Sequence, residues 1–142
     1  MAALPLLLAP LALNVGKIYP IDLGGPSNQL VHAARMGNIA RVRQCFLDHN
    51  LDDLDLNSAL DAAAAYAHAD IVEFLVRFGA TDLESALLSA TARDHVKVVA
   101  YLISKERRHP ATNTREAQTL ASNLGAFNCD WLLTVHRWKE RR

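Results

Sequence analysis

The chain has no net charge to spend on a polyanion. Its 15 basic and 15 acidic residues leave a formal charge of +0, and general nucleic-acid binders need a basic surplus to displace counterions from phosphates. Turn formers are also scarce, with only 6 glycines and 5 prolines in 142 residues, and aromatic residues make up 6%. That poverty argues against a many-turned sheet fold and leaves a chain rich in Ala and Leu, the residues that favour helix. With 51% hydrophobic and 21% charged residues, the composition is that of one globular domain rather than a disordered segment.

Cysteine is limited to Cys45 and Cys129, both inside helical apolar patterns, and no Asn-x-Ser/Thr acceptor occurs. A small secreted domain carries a denser disulfide framework, so these two are read as buried free thiols in a reducing, cytoplasmic setting. The opening MAALPLLLAPLAL has no basic n-region, contains Pro5 and Pro10, and is too short to span a bilayer. Two readings stay open for residues 1–13: a signal or membrane anchor for an exported or tethered adaptor, or part of an apolar segment over 1–29 that caps the first helix pair.

Catalytic chemistry leaves no signature. No nucleophile stands near a base, no His or Cys pair has metal-ligand spacing, and Gly24-Gly25 lacks the lysine of a phosphate-binding loop. No cofactor, metal or catalytic residue is assigned, and a hydrolase built on a helical scaffold is the weaker alternative. Asp52, Asp53 and Asp55 lack the glycine and distal glutamate of a calcium loop and read as a solvated acidic turn. Trp131, Leu132 and Leu133 read as packing of the last helix, with an aromatic anchor for a partner as the alternative.

What the chain does contain is repetition. AARMGNIARVRQCFLDH from Ala33, AAAYAHADIVEFLVRFGA from Ala63 and ATARDHVKVVAYLISKE from Ala90 superpose, and LASNLGAFNCDWLLTVH from Leu120 is a weaker fourth copy. Val42, Val72, Val99 and Cys129 are taken as equivalent, at spacings of 30, 27 and 30 residues. Each copy predicts a small-residue helix, a tight turn at Gly37-Asn38, Ala67-His68 or Asp94-His95, and a second, amphipathic helix. Thr81-Asp-Leu-Glu84 has the form of a capping box, Gly79 suits a left-handed helix end, and Pro110 bars continuation of a helix ending near Arg108. His68 and His95, in matching turns, suggest hydrogen bonds to backbone rather than zinc.

These residues resemble the ankyrin-repeat family, whose motif runs Ala-Ala, Gly-His, Ile-Val-x-x-Leu-Leu, Gly-Ala. Ala67 takes the glycine place, His68 the histidine place, and Gly79-Ala80 closes the copy. The resemblance covers roughly residues 30–134 and implies an all-α solenoid of three to four stacked helix-turn-helix pairs that binds another protein without catalysis. The missing Thr-Pro-Leu-His opening and the short period imply that the projecting hairpin is cut to a turn, similar to repeats in large DNA viruses and some intracellular bacteria. A viral or pathogen protein of this kind implies a host factor as partner, in the host cytoplasm.

Charge is unevenly spread. Between Asp48 and Glu84 nine acidic residues face Arg77 alone, whereas from Lys105 onward eight basic residues face four acidic ones, ending in a basic tail over 135–142. The acidic loop at Asp52, Asp53 and Asp55, joined by Tyr66, is the candidate partner site, and a basic patch on the partner is expected because opposite fields steer encounter. Nucleic acid is not expected, nor a membrane; the sequence leaves the oligomeric state open. If the pairs stack, Leu75 is enclosed, so Leu75→Ala should cost about 2–5 kcal/mol in denaturant unfolding.

Overall fold

The computed structural model describes residues 25–105 and 114–142. Within them run eight helices and no strand: α1 (Pro26–Arg35), α2 (Ile39–Asp48), α3 (Asp53–Ala65), α4 (Ala69–Arg77), α5 (Leu83–Ala92), α6 (Val96–Ser104), α7 (Thr114–Leu124) and α8 (Phe127–Glu140). They form four antiparallel pairs. The first helices α1, α3, α5 and α7 pack one on the next, and the second helices form an outer layer. The result is an all-α repeat solenoid, extending four residues before and six beyond the expected 30–134. Of the stretch 135–142 read as a basic tail, residues 135–140 form the last turns of α8 and Arg141 and Arg142 follow it. The apolar segment at 1–24 and the Arg108–Pro110 helix end lie outside the described residues, and α6 stops at Ser104.

One left-handed residue turns the chain in every pair. Gly37, Ala67, Asp94 and Gly125 have φ of 72°, 63°, 57° and 72°, a conformation that strains any side chain with a Cβ. These four residues mark the true register. Counted from them, Cys129 matches Ile71 and Val98, and it is Asp130 that stands where Val72 and Val99 stand. Matching by hydrophobicity slides the fourth copy by one residue, because a polar Asp130 pushes the comparison onto its apolar neighbour.

Stacking follows from side-chain size. Ala33, Ala63, Ala90 and Ala121 are all buried at the first-helix contacts, so neighbouring backbones approach closely. Leu30, Leu60 and Leu87 fill the seam between the layers with Val42, Val72 and Val99 and with Leu75, Leu102 and Leu133, every one of them fully buried. Each such side chain contributes about 1.5–3 kcal/mol relative to exposure. On the outer layer Phe46, Phe74 and Phe78 pack ring on ring, with centroids 4.4–5.4 Å apart. Cys45 and Cys129 are free and buried, as expected.

The fourth pair presents a different outer side. Where inner repeats bury Leu60 and Leu87 or Val72 and Val99, and carry the partly buried Val76 and the buried Ile103, it carries Gln118, Asp130 and Thr134, and Ser122 takes the place of Ala64 and Thr91. These polar groups pair with each other: Ser122 Oγ donates to Asp130 at 3.0 Å, Gln118 Nε2 donates to Thr134 Oγ at 2.7 Å, and Arg137 donates to Gln118. These groups make this part of the fourth pair's outer side polar where the inner repeats are apolar. Trp131, expected to pack, is 68% exposed, while Leu133 carries the packing.

The helix starts are chemically specified. Pro26 opens α1, the Asn38 side chain accepts from Arg41 N–H at 3.0 Å at the head of α2, and Asp82 accepts from Ser85 N–H at 3.1 Å at the head of α5. The cap of α5 is therefore Asp82, one residue after the Thr81 expected from the sequence. Thr81 is instead held by Asn57 of the preceding pair, whose Oδ1 accepts from Thr81 N–H at 2.9 Å and Asp82 N–H at 3.0 Å.

Glycine and alanine exchange should have opposite effects at equivalent turns. A Cβ on Gly37 would meet the His68 ring at 2.5 Å, so Gly37→Ala should destabilise by well over 1 kcal/mol. Ala67→Gly removes left-handed strain of about 1–2 kcal/mol against an unfolded-state entropy cost of about 0.5–1 kcal/mol, and should raise stability slightly. Thermal unfolding of the two variants checks both signs.

Candidate functional site: two edges of opposite character

The repeat geometry gives the molecule two long edges. One carries the connections between pairs, where α3 and α5 begin; the other carries the left-handed turns, where the first helices end. α3 has 13 residues, which separates its two ends by about 20 Å at 1.5 Å per residue.

The candidate carboxylates lie on the connection edge. Asp52 is the N-cap of α3: its Oδ1 accepts from Asp55 N–H at 2.9 Å, while Asp55 Oδ2 accepts from Asp52 N–H at 3.3 Å. This reciprocal capping box means that two of the three predicted site residues also start a helix. Asp53 is exposed and has no such duty. Asp82, the N-cap of the next first helix, is exposed on the same edge, with Glu84 half-buried beside it and Asp48 exposed at the end of α2. Acidic groups at helix starts are also favoured by the helix dipole.

Tyr66 is at the far end. It is the C-cap residue of α3 and 41% exposed, and the length of α3 keeps it from joining the acidic loop as the sequence suggested. Its neighbours are cations from the pairs on either side. The Arg35 guanidinium lies 5.3 Å and that of Arg93 5.0 Å from the ring centre, and Arg35 donates to the Tyr66 hydroxyl at 3.2 Å. The Arg35 hydrogen bond, then its charge, then Arg93 hold the phenol below its ordinary pKa. Arg35 and Arg93 were not singled out in the sequence; their places at the ends of α1 and α5 are visible once the copies are aligned.

The turn edge is stitched from pair to pair. His68 Nε2 lies 2.9 Å from the Arg35 carbonyl and His95 Nε2 lies 3.0 Å from the Ala65 carbonyl. A carbonyl only accepts, so Nε2 carries the proton in both. The predicted backbone bonds are present, but they reach back to the preceding pair instead of closing their own turn. The last pair has Ala126 at the histidine position of the turn and is held in the reverse sense. Asp94 Oδ1 accepts from Cys129 N–H at 2.9 Å and Oδ2 from Asn128 Nδ2 at 2.7 Å. Asp94 thus supplies α8 with the cap that its own Ala126 cannot.

Between the edges, Asp61 of α3 accepts from Ser85 Oγ at 3.1 Å and from Ser89 Oγ of α5. An open groove between α2 and α4 is lined by Arg43 and Arg77 opposite Asp70 and Glu73, a balance of signs that favours no ion. Among the described residues no three metal-binding side chains converge, and no helix is long and apolar enough to cross a membrane. The buried thiols are poor nucleophiles. Cys129 is pushed up to about 12 by burial and then by Asp94, and Cys45 is raised by burial.

Residues 55–86, which span most of α3, all of α4 and the start of α5, match the family model for the ankyrin repeat. This second pair is an ankyrin repeat. The other three pairs share its left-handed turn and its buried alanine contact, and the first and third also share its apolar seam. No curated protein matches the chain. Ankyrin repeats serve generally as protein-protein interaction modules.

Asp94 gives this array an acid-sensitive joint. Its carboxyl is held below the usual range first by the Cys129 N–H, so the stabilisation is present above the unfolded aspartate pKa of about 3.9 and is lost as pH falls through the lower folded value. Asp94→Asn, which cannot accept from Asn128 with its amide nitrogen, should be less stable than wild type at pH 7. The difference should shrink toward pH 2–3 in chemical unfolding followed by circular dichroism.

Proposed function

We propose that the array is a non-catalytic interaction module that docks a basic protein surface on its connection edge. One observation carries this reading. Asp48, Asp52, Asp53, Asp82 and Glu84 gather at two consecutive connections, and no lysine or arginine occurs between Arg43 and Arg77. A single-signed edge on a rigid scaffold attracts an opposite patch at long range and discriminates against acidic partners. Capping occupies only part of each carboxylate: Asp52 and Asp82 stay exposed while they hold the helix starts. The shortened connections, which resemble those of repeats in large DNA viruses, support a host protein of the cytoplasm as that partner.

Replacing Asp52, Asp53 and Asp55 with Asn tests the charge separately from the fold, because asparagine is as good an N-cap as aspartate. In affinity capture with mass spectrometry at low salt, wild type should retain a partner that the triple variant loses. Titration of that partner should show affinity about tenfold weaker in the variant, with a flatter salt dependence. Equal affinity of both proteins at low salt would remove this edge from the site.

A further inference from the structure

The last helix carries an exposed aromatic seam, on which the only cation contact among the described residues is the Arg142 guanidinium, 3.7 Å from the centre of the Trp138 ring. Phe127, Trp131 and Trp138 are 80%, 68% and 53% exposed. With the exposed Thr134 they fall at the spacing i, i+4, i+7, i+11, within an arc of about 60° on one side of α8. We propose that this seam is the contact of a two-fold homodimer in which α8 packs antiparallel against α8 of a second copy.

Three features single out a second copy as the occupant. The spacing is its own mirror image, so an antiparallel pairing centred between Leu132 and Leu133 sets Phe127 against the other copy's Trp138 and the large Trp131 against the other copy's small Thr134. That is the self-complementarity an isologous interface needs. The charges agree: Asp130 lies in the first turn of α8 and Asp94 caps it, while Arg137 and Lys139 lie in the last turn. Antiparallel alignment therefore brings unlike charges together, whereas parallel alignment stacks like on like. The area is sufficient as well. Aromatic side chains of about 150–250 Å² each, at these exposures, offer about 400 Å² per copy. Two copies with their flanking residues then reach the roughly 1,000 Å² at which specific interfaces begin.

Sedimentation of the full chain from about 1 to 500 µM tests the proposal. Wild type should pass from monomer to dimer, and Trp131→Ala should raise the dissociation constant at least tenfold. Thr134→Trp is the more discriminating variant, because it enlarges the apolar surface yet fills the notch that receives Trp131. It should weaken the dimer as strongly, whereas indiscriminate adhesion would grow. Circular dichroism at low concentration should show both variants folded, and Phe127→Ala, at the most exposed of these positions, replaces either that is not. A wild-type protein still monomeric at about 500 µM, a dimer indifferent to Trp131→Ala, or association strengthened by Thr134→Trp would each overturn the proposal. So would a different protein captured on α8 while the chain stays monomeric.

Discussion

The constraint on which this molecule depends is the left-handed residue between the two helices of each pair. A hairpin of helices with so tight a turn must reverse in one or two residues, and only a positive φ does this while leaving both helices intact. Gly37 and Gly125 adopt it freely, whereas Ala67 and Asp94 adopt it under strain that the surrounding stack sustains. Once the turns are set, the alanines of successive first helices fall in line. The leucine and valine seam then closes behind them.

The strain at Asp94 is linked to a bond that glycine could not make. A glycine there would relax the turn but leave the third residue of α8 without a cap, since Ala126 has no side chain able to accept. The same edge shows two solutions to one problem. Histidine reaches back from α4 and α6 to a preceding carbonyl, and aspartate reaches forward from the third pair to a following N–H. Each bond crosses between pairs, where a solenoid has only nearest neighbours to resist slippage.

Much of the fold was legible because it rests on local chemistry repeated along the chain. Helix formers, alternating small and large apolar faces and turn residues recur in the first three copies, and the turn histidine in the second and third. The candidate site was less legible. Asp52 and Asp55 were visible as charge but not as a capping box, because reciprocal capping is a statement about backbone conformation. Tyr66 was placed with them by proximity in sequence, although a helix of 13 residues intervenes. The exposure of Trp131 was hidden for a related reason: its spacing alone fits either an inward or an outward face.

By itself the sequence determined that the chain is helical, that it repeats, and that it is strongly acidic between Asp48 and Glu84, because these properties follow from residue type and period. Tertiary structure decided which carboxylates share an edge and which cations flank Tyr66. It also decided that the fourth pair turns polar groups outward while Phe127, Trp131 and Trp138 stay exposed. Those outcomes depend on how one pair rotates against the next, and that rotation is set by contacts between residues about thirty positions apart.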